Sequence, residues 1–247
     1  MLGVGLPNLG NTCFFNSVIQ SIRYTRPIVE YLHSKENDDL LELLYCYPSE
    51  KALQSVVKSL PSHGFRRFFQ ADAHEYMLCL LDILYEKFNC DMFRGELKSR
   101  LECLRCRNCS TVKSPFHTLS VSKGISVVHA IQNNFHREIV HYKCEKCHHN
   151  EHKKLLSFTP NKVLIVHLKR FDAKGHKLDY DIEINSPSNY ELKSVICHDG
   201  TCEYGHYTAV CKKSNGQWIV CNDNHVTEID NIPKKSKLPY VLIYVKK

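Results

Sequence analysis

The stretch "GLPNLGNTCFFNSVIQSI", residues 5–22, places one cysteine at the entry to an apolar helical pattern. Gly10 permits a sharp turn, and Asn11 or Thr12 can cap the helix that follows. Cys13 would then lie at the helix N-terminus, where free backbone N–H groups and the helix dipole favour a thiolate nucleophile. The alternative for such a cysteine is a small buried apolar residue. The predicted buried face of this helix consists of Val18, Ile19 and Ile22.

A base for such a nucleophile is offered by "YGHYTAVC", which places His206 directly after Gly205 at the start of a predicted strand. The next predicted strand ends in "WIVCNDN", where Asn222 can accept the second imidazole N–H and orient the ring. The chain order Cys, His, Asn also occurs in papain-like thiol proteases. Cys13, His206 and Asn222 are therefore the candidate triad.

The connection between these two strands decides whether His206 and Asn222 share a face. The sequence "KKSNGQ" contains an Asn-Gly pair, which indicates a hairpin. A two-residue loop would place Ala209 opposite Asn222, on the face that His206 avoids. A three-residue loop that ends at a left-handed Gly216 pairs Thr208 with Asn222 and makes His206 and Asn222 diagonal neighbours. We predict the three-residue loop.

Two Cys-x-x-Cys pairs, separated by 37 residues, indicate a metal site. Four thiolates at this spacing specify a closed, tetrahedral, structural zinc site. The nearby Cys109, His148, His149 and His152 are alternative ligands, and we expect them to be exposed residues of the two knuckles instead. The predicted ligands are Cys103, Cys106, Cys144 and Cys147.

Composition narrows the class of protein without choosing a partner. The 247 residues are 43% hydrophobic and contain no apolar run of the roughly 20 residues needed to cross a bilayer. The odd count of 13 cysteines, with four in metal-type pairs, favours a reducing, intracellular compartment over a disulfide framework. The net charge of +7 is dispersed among acidic residues, so it does not indicate nucleic-acid binding.

Helical patterns precede strand patterns along the chain. They cover residues 13–24, 36–46, 50–60 and 71–88, and a further short helix is predicted near 126–135. Asp72 can cap the fourth helix. The extended segments are "VLIVHLKRF", "KLDYDIEI", "YELKSVIC", "HYTAVCKK", "QWIVCND" and "YVLIYV". This order predicts an α+β fold in one domain.

Seven ordered motifs resemble those of the ubiquitin-specific proteases, a family of papain-like deubiquitinases with thumb, palm and fingers subdomains. The resemblance covers essentially the whole chain. It rests on "GLPNLGNTCFFNSVIQ", "QADAHEYM", the pair "CLRC" and "CEKC", "LIVHLKRF", "GHYTAVCK", "WIVCNDNHV" and "YVLIYV". The resemblance implies a papain-like cysteine protease with a helical thumb, an antiparallel β palm and zinc-ribbon fingers.

The resemblance also implies roles for single residues. Cys13 is the nucleophile, His206 the general base and acid, and Asn222 the residue that orients the imidazole, with Asp223 as an auxiliary. Asn8 matches the position that stabilises the oxyanion. Its alternative role is that of a turn asparagine after a proline.

Five further residues match the family's substrate-binding positions. Gln70, Asp72 and Glu75 would grip the arginine-containing C-terminal tail of ubiquitin, and the alternative role of Asp72 is the helix cap. Gly205 and Tyr207 would form the wall of a narrow slot for the terminal Gly-Gly.

The implied organisation is a single catalytic domain over residues 1–247. Its thumb covers about 1–90, its fingers and adjoining palm strands about 91–160, and its palm about 161–247. The implied activity is hydrolysis of the bond after the C-terminal glycine of ubiquitin; the alternatives are an inactive ubiquitin-binding scaffold and a protease for another ubiquitin-like modifier. We expect one structural Zn²⁺, ubiquitin and ubiquitinated proteins as partners, no nucleic-acid or membrane partner, a monomer, and a cytoplasmic or nuclear location.

Overall fold

The computed structural model describes residues 3–35, 38–45 and 49–247. In this part of the chain, helices dominate the first third and strands the remainder, as predicted. The helices are α1 (Cys13–Arg23), α2 (Arg26–Leu32), α3 (Asp39–Tyr45), α4 (Glu50–Ser59), α5 (Ala73–Phe88) and α6 (Val127–Asn134). The strands are β1 (Gly95–Cys103), β2 (Cys109–Phe116), β3 (Leu119–Val121), β4 (Glu138–His141), β5 (Glu151–Thr159), β6 (Val163–Leu168), β7 (Ile182–Glu183), β8 (Tyr190–Gly200), β9 (Gly205–Lys212), β10 (Trp218–Asn222), β11 (His225–Ile229), β12 (Lys235–Ser236) and β13 (Pro239–Lys246).

The helix predictions are largely confirmed. Helix α3 confirms the described part of the 36–46 prediction, whose residues 36, 37 and 46 lie outside the described ranges. Helix α2 was not predicted, because seven residues are too few to show a clear helical period. Pro27 lies in its first turn. A proline is tolerated there because the N–H groups of a first turn have no hydrogen-bond partner within the helix.

Helix α1 forms the centre of the molecule. Ten of its eleven residues are buried, and it packs against α5 and α3 on one side and against β9 on the other. Its apolar side chains pack on both sides, and the buried Asn16, Ser17 and Gln20 each donate to a backbone carbonyl. Full burial of each large aliphatic or aromatic side chain contributes about 1.5–3 kcal/mol. The position of Cys13 is therefore set by one of the best-packed elements of the chain.

The predicted side-chain cap of α1 is wrong. Thr12 occupies the N-cap position but makes no side-chain hydrogen bond to the first turn. Its hydroxyl accepts the Leu9 N–H at 2.9 Å, and Asn11 Nδ2 donates to the Phe68 carbonyl at 2.7 Å. Both side chains therefore hold neighbouring loops. The backbone N–H groups of Cys13 and Phe14, in the first turn, hydrogen-bond to the Cys13 sulfur instead.

The predicted cap of α5 is confirmed. Asp72 Oδ1 accepts the backbone N–H groups of His74 and Glu75 at 2.6 Å and 3.1 Å. The helix ends at Asn89, which adopts a left-handed conformation with φ 55°. The apolar stripe of the helix is buried as predicted, at Met77, Leu80, Leu81, Leu84 and Phe88.

A seven-stranded sheet lies against α1, with the strand order β11-β10-β9-β8-β13-β6-β3. All neighbours are antiparallel except β3 and β6, which pair parallel. The predicted antiparallel palm is confirmed, and this one parallel pair at the edge is the exception. The cause is the long excursion of the chain between β3 and β6, which passes through α6 and the second sheet and lets β6 return in the same direction.

One predicted strand is mostly loop. "KLDYDIEI" contributes only the two residues of β7 to a strand. Upstream, Asp172 Oδ1 accepts the N–H groups of Lys174 and His176 and so closes a turn. The buried guanidinium of Arg170 then binds the Tyr180 carbonyl at 2.6 Å. These side chains satisfy backbone groups that a strand would pair with a neighbour.

A separate four-stranded sheet, in the order β2-β1-β5-β4, carries the cysteine pairs at one end. Strands β1 and β2 pair from Gly95 with Phe116 to Glu102 with Cys109. The first Cys-x-x-Cys pair begins at the last residue of β1, and the second lies between β4 and β5. The two pairs thus meet because β1 and β5 are hydrogen-bonded neighbours. Among the described residues, no helix is long and apolar enough to cross a membrane.

Candidate active site

Cys13 begins α1, as predicted, but the structure does not favour its ionised form. The pKa of its thiol is raised, mainly by burial and further by the negative charge of Asp223. Hydrogen bonds from the backbone N–H groups of Tyr207, Phe14 and Cys13 itself lower this pKa, but by less than burial raises it. The expectation of a resting thiolate is therefore wrong for this conformation, because desolvation outweighs the helix N-terminus.

The hairpin prediction is confirmed by the register of β9 and β10. Cys221 pairs with Ala209, and Trp218 pairs with Lys212. Continuing this register by one residue places Asn222 opposite Thr208. Gly216 has φ 89°, and Lys213 N–H bonds the Gln217 carbonyl at 2.8 Å across the three-residue loop.

His206 and Asn222 therefore face each other. The distance between His206 Nε2 and Asn222 Oδ1 is 2.7 Å. Because an amide oxygen only accepts, Nε2 carries the proton and Nδ1 is left as the basic nitrogen. Asn222 thus holds the imidazole in the tautomer that a general base needs.

Cys13 lies beside this pair without a hydrogen bond to the His206 ring within the described part of the chain. The backbone N–H of Tyr207, the residue after His206 in β9, donates a hydrogen bond to the sulfur instead. This arrangement places the thiol next to the backbone of the histidine segment. The histidine–asparagine half of the candidate triad is thus formed, and the cysteine–histidine contact is not.

Asp223 joins the two sides of the site. Its Oδ2 accepts the Asn8 Nδ2 amide at 3.0 Å, and its Oδ1 accepts the Asn16 Nδ2 amide at 2.8 Å. The Asn8 Oδ1 atom accepts the N–H groups of Gly10 and Thr12 at 3.1 Å and 3.0 Å. Asn8 thus supports the turn before Cys13 and keeps its Nδ2 donor beside the same turn.

Asn16 was missed by the sequence analysis. It is buried on the same helical face as Cys13, three residues later, and that spacing was the available signal. Its Nδ2 also donates to the Leu6 carbonyl at 3.1 Å. Asn16 therefore ties α1, the N-terminal segment and Asp223 together.

A cleft of about 810 Å³ runs past Cys13 between a wall from the segment that precedes α5 and a wall from the sheet. Gln70 and Asp72 line the first wall, and Gly205 and Tyr207 line the second. Gln70 Oε1 accepts the Gly205 N–H at 3.1 Å, which fixes the width of the cleft at this point. Glu75 is exposed in the first turn of α5 and does not line the cleft.

Asp72 performs two tasks at once. Its Oδ1 caps α5, while its Oδ2 accepts a hydrogen bond from the Tyr240 hydroxyl. The cap and the cleft contact use different oxygens, so the two interpretations of Asp72 are compatible. Tyr240 was missed, because its position in "YVLIYV" indicates only a strand.

Gly205 leaves no room for a side chain. A Cβ atom built at this position would lie 2.0 Å from His198 Nε2. His198 is buried behind the glycine, and burial lowers the pKa of its ring to about 4. A neutral imidazole therefore forms the back of the cleft directly beside the residue that precedes His206.

His167 of β6 is a second, half-buried histidine that was also missed. The His167 ring stacks on His74 at 3.8 Å between centroids and meets Tyr240 edge-on at 4.9 Å. Burial lowers the pKa of His167 to about 3. Both rings are thus neutral packing groups under Tyr240.

The four predicted cysteine ligands form one cluster. Their sulfurs all lie within 4.8 Å of one another, and Cys103 to Cys147 and Cys106 to Cys144 are each 3.6 Å apart. A tetrahedron with Zn–S bonds of about 2.3 Å has edges of about 3.8 Å. The donor set therefore fits a tetrahedral metal ion. Cys109, His148, His149 and His152 lie outside this cluster, but the expected exposure is wrong for His152, which is buried in β5.

The two knuckles have the same backbone design. The residue four positions after each first cysteine, Arg107 or His148, has a positive φ of 61° or 57°. Its N–H returns to the carbonyl of that cysteine, at 3.1 Å for Cys103 and 2.8 Å for Cys144. The matched turns direct both sulfurs of each pair to one point.

Comparisons with known proteins agree with this architecture. Residues 4–244 match the family model "Ubiquitin carboxyl-terminal hydrolase". Ubiquitin carboxyl-terminal hydrolase 23 of Arabidopsis thaliana is 29% identical, over 99% of this chain and 36% of that protein. Probable ubiquitin carboxyl-terminal hydrolase 16 of Schizosaccharomyces pombe is also 29% identical, over 98% of this chain and 66% of that protein.

A solved structure shows the same fold. A chain of the SAGA DUB module Ubp8/Sgf11/Sus1/Sgf73 bound to monoubiquitin superposes with a TM-score of 0.84. The two are 25% identical, and the match covers 99% of this chain and 69% of that one. The structure therefore has the papain-like α+β fold of helical thumb, β palm and cysteine-bearing fingers. Because the family model matches nearly the whole sequence, the chain belongs to the ubiquitin carboxyl-terminal hydrolase family.

Proposed function

We propose that the protein is a thiol protease that cleaves the peptide or isopeptide bond after the C-terminal glycine of ubiquitin. The observation that carries the proposal is the 2.7 Å contact between His206 and Asn222 beside a cysteine at a helix N-terminus. This chemistry needs an imidazole held in one tautomer next to a thiol. The family relationship supplies the substrate class.

Catalysis begins with proton transfer, because burial keeps the free Cys13 protonated. His206 Nδ1 takes the thiol proton as Cys13 attacks the glycine carbonyl, and the protein thus forms its nucleophile only when ring and sulfur meet. His206 then returns the proton to the departing lysine amine. Water hydrolyses the thioester with His206 again as the base.

The oxyanion of this reaction forms beside the turn before α1. We assign its stabilisation to the Cys13 N–H and the Asn8 Nδ2 amide, with Asn16 and Asp223 as positioning residues behind Asn8. Loss of one oxyanion donor raises the barrier by about 3 kcal/mol. Asn8→Ala should therefore lower kcat by about 100-fold and leave ubiquitin binding nearly unchanged.

The cleft is the binding site for the ubiquitin tail. Gln70 and Asp72 present an amide and a carboxylate to a cationic peptide in the cleft, and the exposed Glu75 adds a second carboxylate outside the cleft lining. Gly205 and Tyr207 line the cleft together with Cys13, and the lack of a side chain at position 205 suits a Gly-Gly tail. Ubiquitin and ubiquitinated proteins are thus the proposed partners, and we propose that the chain acts as a monomer.

The cysteine cluster is proposed to hold one Zn²⁺ through Cys103, Cys106, Cys144 and Cys147. Four thiolates leave no open coordination position, so the ion stiffens the knuckles and takes no part in hydrolysis. The twelve described cysteines are all free thiols, which favours a reducing, intracellular location such as cytoplasm or nucleus.

A ubiquitin that carries an electrophile at its C-terminus tests the proposal. Wild type should form a covalent adduct, and Cys13→Ala should bind this ubiquitin without forming one. Adduct formation by Cys13→Ala would assign another nucleophile. Binding without an adduct in wild type would identify an inactive scaffold, and preference for an electrophilic probe built on another modifier would identify a different substrate.

A further inference from the structure

A second cavity, of about 220 Å³, lies beside the cleft on the other side of Phe68 and Phe69. Both rings line the cavity and the cleft, so they form a wall shared by the two. The inner surface of the cavity is apolar, and its volume suits one large apolar side chain. This surface includes Leu9, Phe14, Val57 and Leu60.

The rim of this cavity is positively charged. It carries Lys58, Arg66 and Arg67, and none of the three forms an ion pair in the described part of the chain. The guanidinium of Arg67 lies 5.1 Å above the Phe68 ring, and that of Arg66 lies 6.0 Å from Phe69. The described residues that line the cavity include no acidic side chain. The cavity therefore attracts a negatively charged group.

The shared wall is held in a strained conformation. Phe68 has φ 64°, a left-handed backbone that costs a non-glycine residue about 1–2 kcal/mol. The Asn11 amide holds its carbonyl, and Gly10 makes room for its ring, since a Cβ there would approach the ring to 2.6 Å.

Burial does not offset this strain. Phe68 and Phe69 remain 63% and 61% exposed. A strained backbone that keeps two rings in solvent beside a nucleophile indicates a binding surface rather than a packing need.

We propose that this cavity, here called the Phe68 cavity, binds an acidic segment with one large apolar residue in the protein that carries the scissile lysine. The inference rests on the proposed function. Asn11, Cys13 and the shared wall all line the cleft, so a segment near the scissile lysine can reach the cavity. The ubiquitin tail does not fit it, because that tail is cationic and three unpaired cations would repel it.

The test compares leaving groups attached to the same ubiquitin. One substrate carries aminocoumarin, a second carries an isopeptide-linked peptide with Glu and Leu around the lysine, and a third carries the same peptide with Gln and Ser. Wild type should cleave the acidic, apolar conjugate with a kcat/KM about tenfold above that of its neutral counterpart. The excess should shrink as salt rises.

The double variant Arg66→Glu, Arg67→Glu should remove this preference and leave aminocoumarin cleavage unchanged. The matched control is Lys234→Glu, Lys235→Glu, which makes the same change of charge at exposed lysines away from the cleft. The control should keep the preference. Lys58→Glu gives an independent reading if the arginine variant does not fold.

Three results would overturn the inference. The first is an equal kcat/KM for the two peptide conjugates in wild type. The second is a loss of aminocoumarin cleavage in the arginine variant that equals its loss of peptide cleavage. The third is inhibition by an oligonucleotide in a wild type that does not distinguish the two peptide conjugates. If wild type cleaves none of the substrates, the proposed function fails instead. The two failures are thus distinguishable.

Discussion

Replacement of Gly205 by alanine tests how closely the cleft is built. The new methyl carbon would lie 2.0 Å from His198 Nε2, and non-bonded contact needs about 3.5 Å, so one group must move by about 1.5 Å. His198 cannot yield easily, because its ring is buried between Phe171 and Tyr207 at centroid distances of 5.5 Å and 4.6 Å. The backbone before His206 must therefore shift.

The expected loss is large in rate and moderate in stability. A misplacement of about 1 Å at a catalytic group costs about 100-fold, so we expect kcat/KM for ubiquitin-aminocoumarin to fall at least that far. Overpacking should lower the free energy of unfolding by about 1–3 kcal/mol. For a domain of this size, each kcal/mol lowers the Tm by about 2–4 °C.

The double variant Gly205→Ala, His198→Ala checks that this clash causes the loss. Removal of the ring makes room for the methyl group, so alanine at 205 should cost less than about tenfold in the His198→Ala background. The control Gly64→Ala has no atom within 4 Å of the new carbon and a φ of 89°, so it should lower stability and leave kcat/KM unchanged. Unchanged activity of Gly205→Ala, or an undiminished loss in the double variant, would refute the argument.

Three further predictions concern ionisation, metal and substrate. Because burial raises the pKa of Cys13, alkylation of the Cys13 thiol by iodoacetamide should be slow at neutral pH and should accelerate as the pH rises through the raised pKa. Asp223→Asn should shift this pH profile to lower pH, because it removes a negative charge that raises the pKa. An alkylation rate that is already constant at neutral pH would contradict the raised pKa. Cys106→Ser should lose bound zinc in elemental analysis while Cys109→Ser retains it, and equal zinc contents would argue against the assigned cluster. Asp72→Asn should keep the helix cap, lower the Tm slightly because the Tyr240 hydroxyl loses its carboxylate acceptor, and raise KM by about tenfold because asparagine lacks the charge for the tail. An unchanged KM would reduce this residue to a structural role.

Local chemistry made much of the site predictable. The turn at "GNT" and the apolar helical period after it indicate a helix start, so Cys13 could be placed there. The Asn-Gly pair before Trp218 restricts the hairpin to a few loops, and only one of these brings Asn222 to the face of His206. The cysteine spacing likewise specifies two knuckles whose sulfurs converge.

Other features depend on residues that are distant in sequence and carry no local pattern. Tyr240 meets Asp72 only because β13 lies inside the sheet that faces the start of α5. His198 closes on Gly205 because β8 and β9 pair, and neither residue reveals this in its own segment. The "KLDYDIEI" segment contains β-branched and aromatic residues that favour a strand. It is mostly a loop because the Arg170 guanidinium binds its Tyr180 carbonyl.

The sequence by itself determined the helix-then-strand order, the position of Cys13 at a helix start, the hairpin that aligns His206 with Asn222, and the four metal-type cysteines. These depend on turn chemistry and periodicity, which act over a few residues. The tertiary structure alone decided that Cys13 rests as a thiol, that Asp223 bridges Asn8 and Asn16, and that Phe68 stands strained beside the cleft. Burial and charge at these points arise from elements that meet only when the whole chain is packed, and no local pattern encodes them.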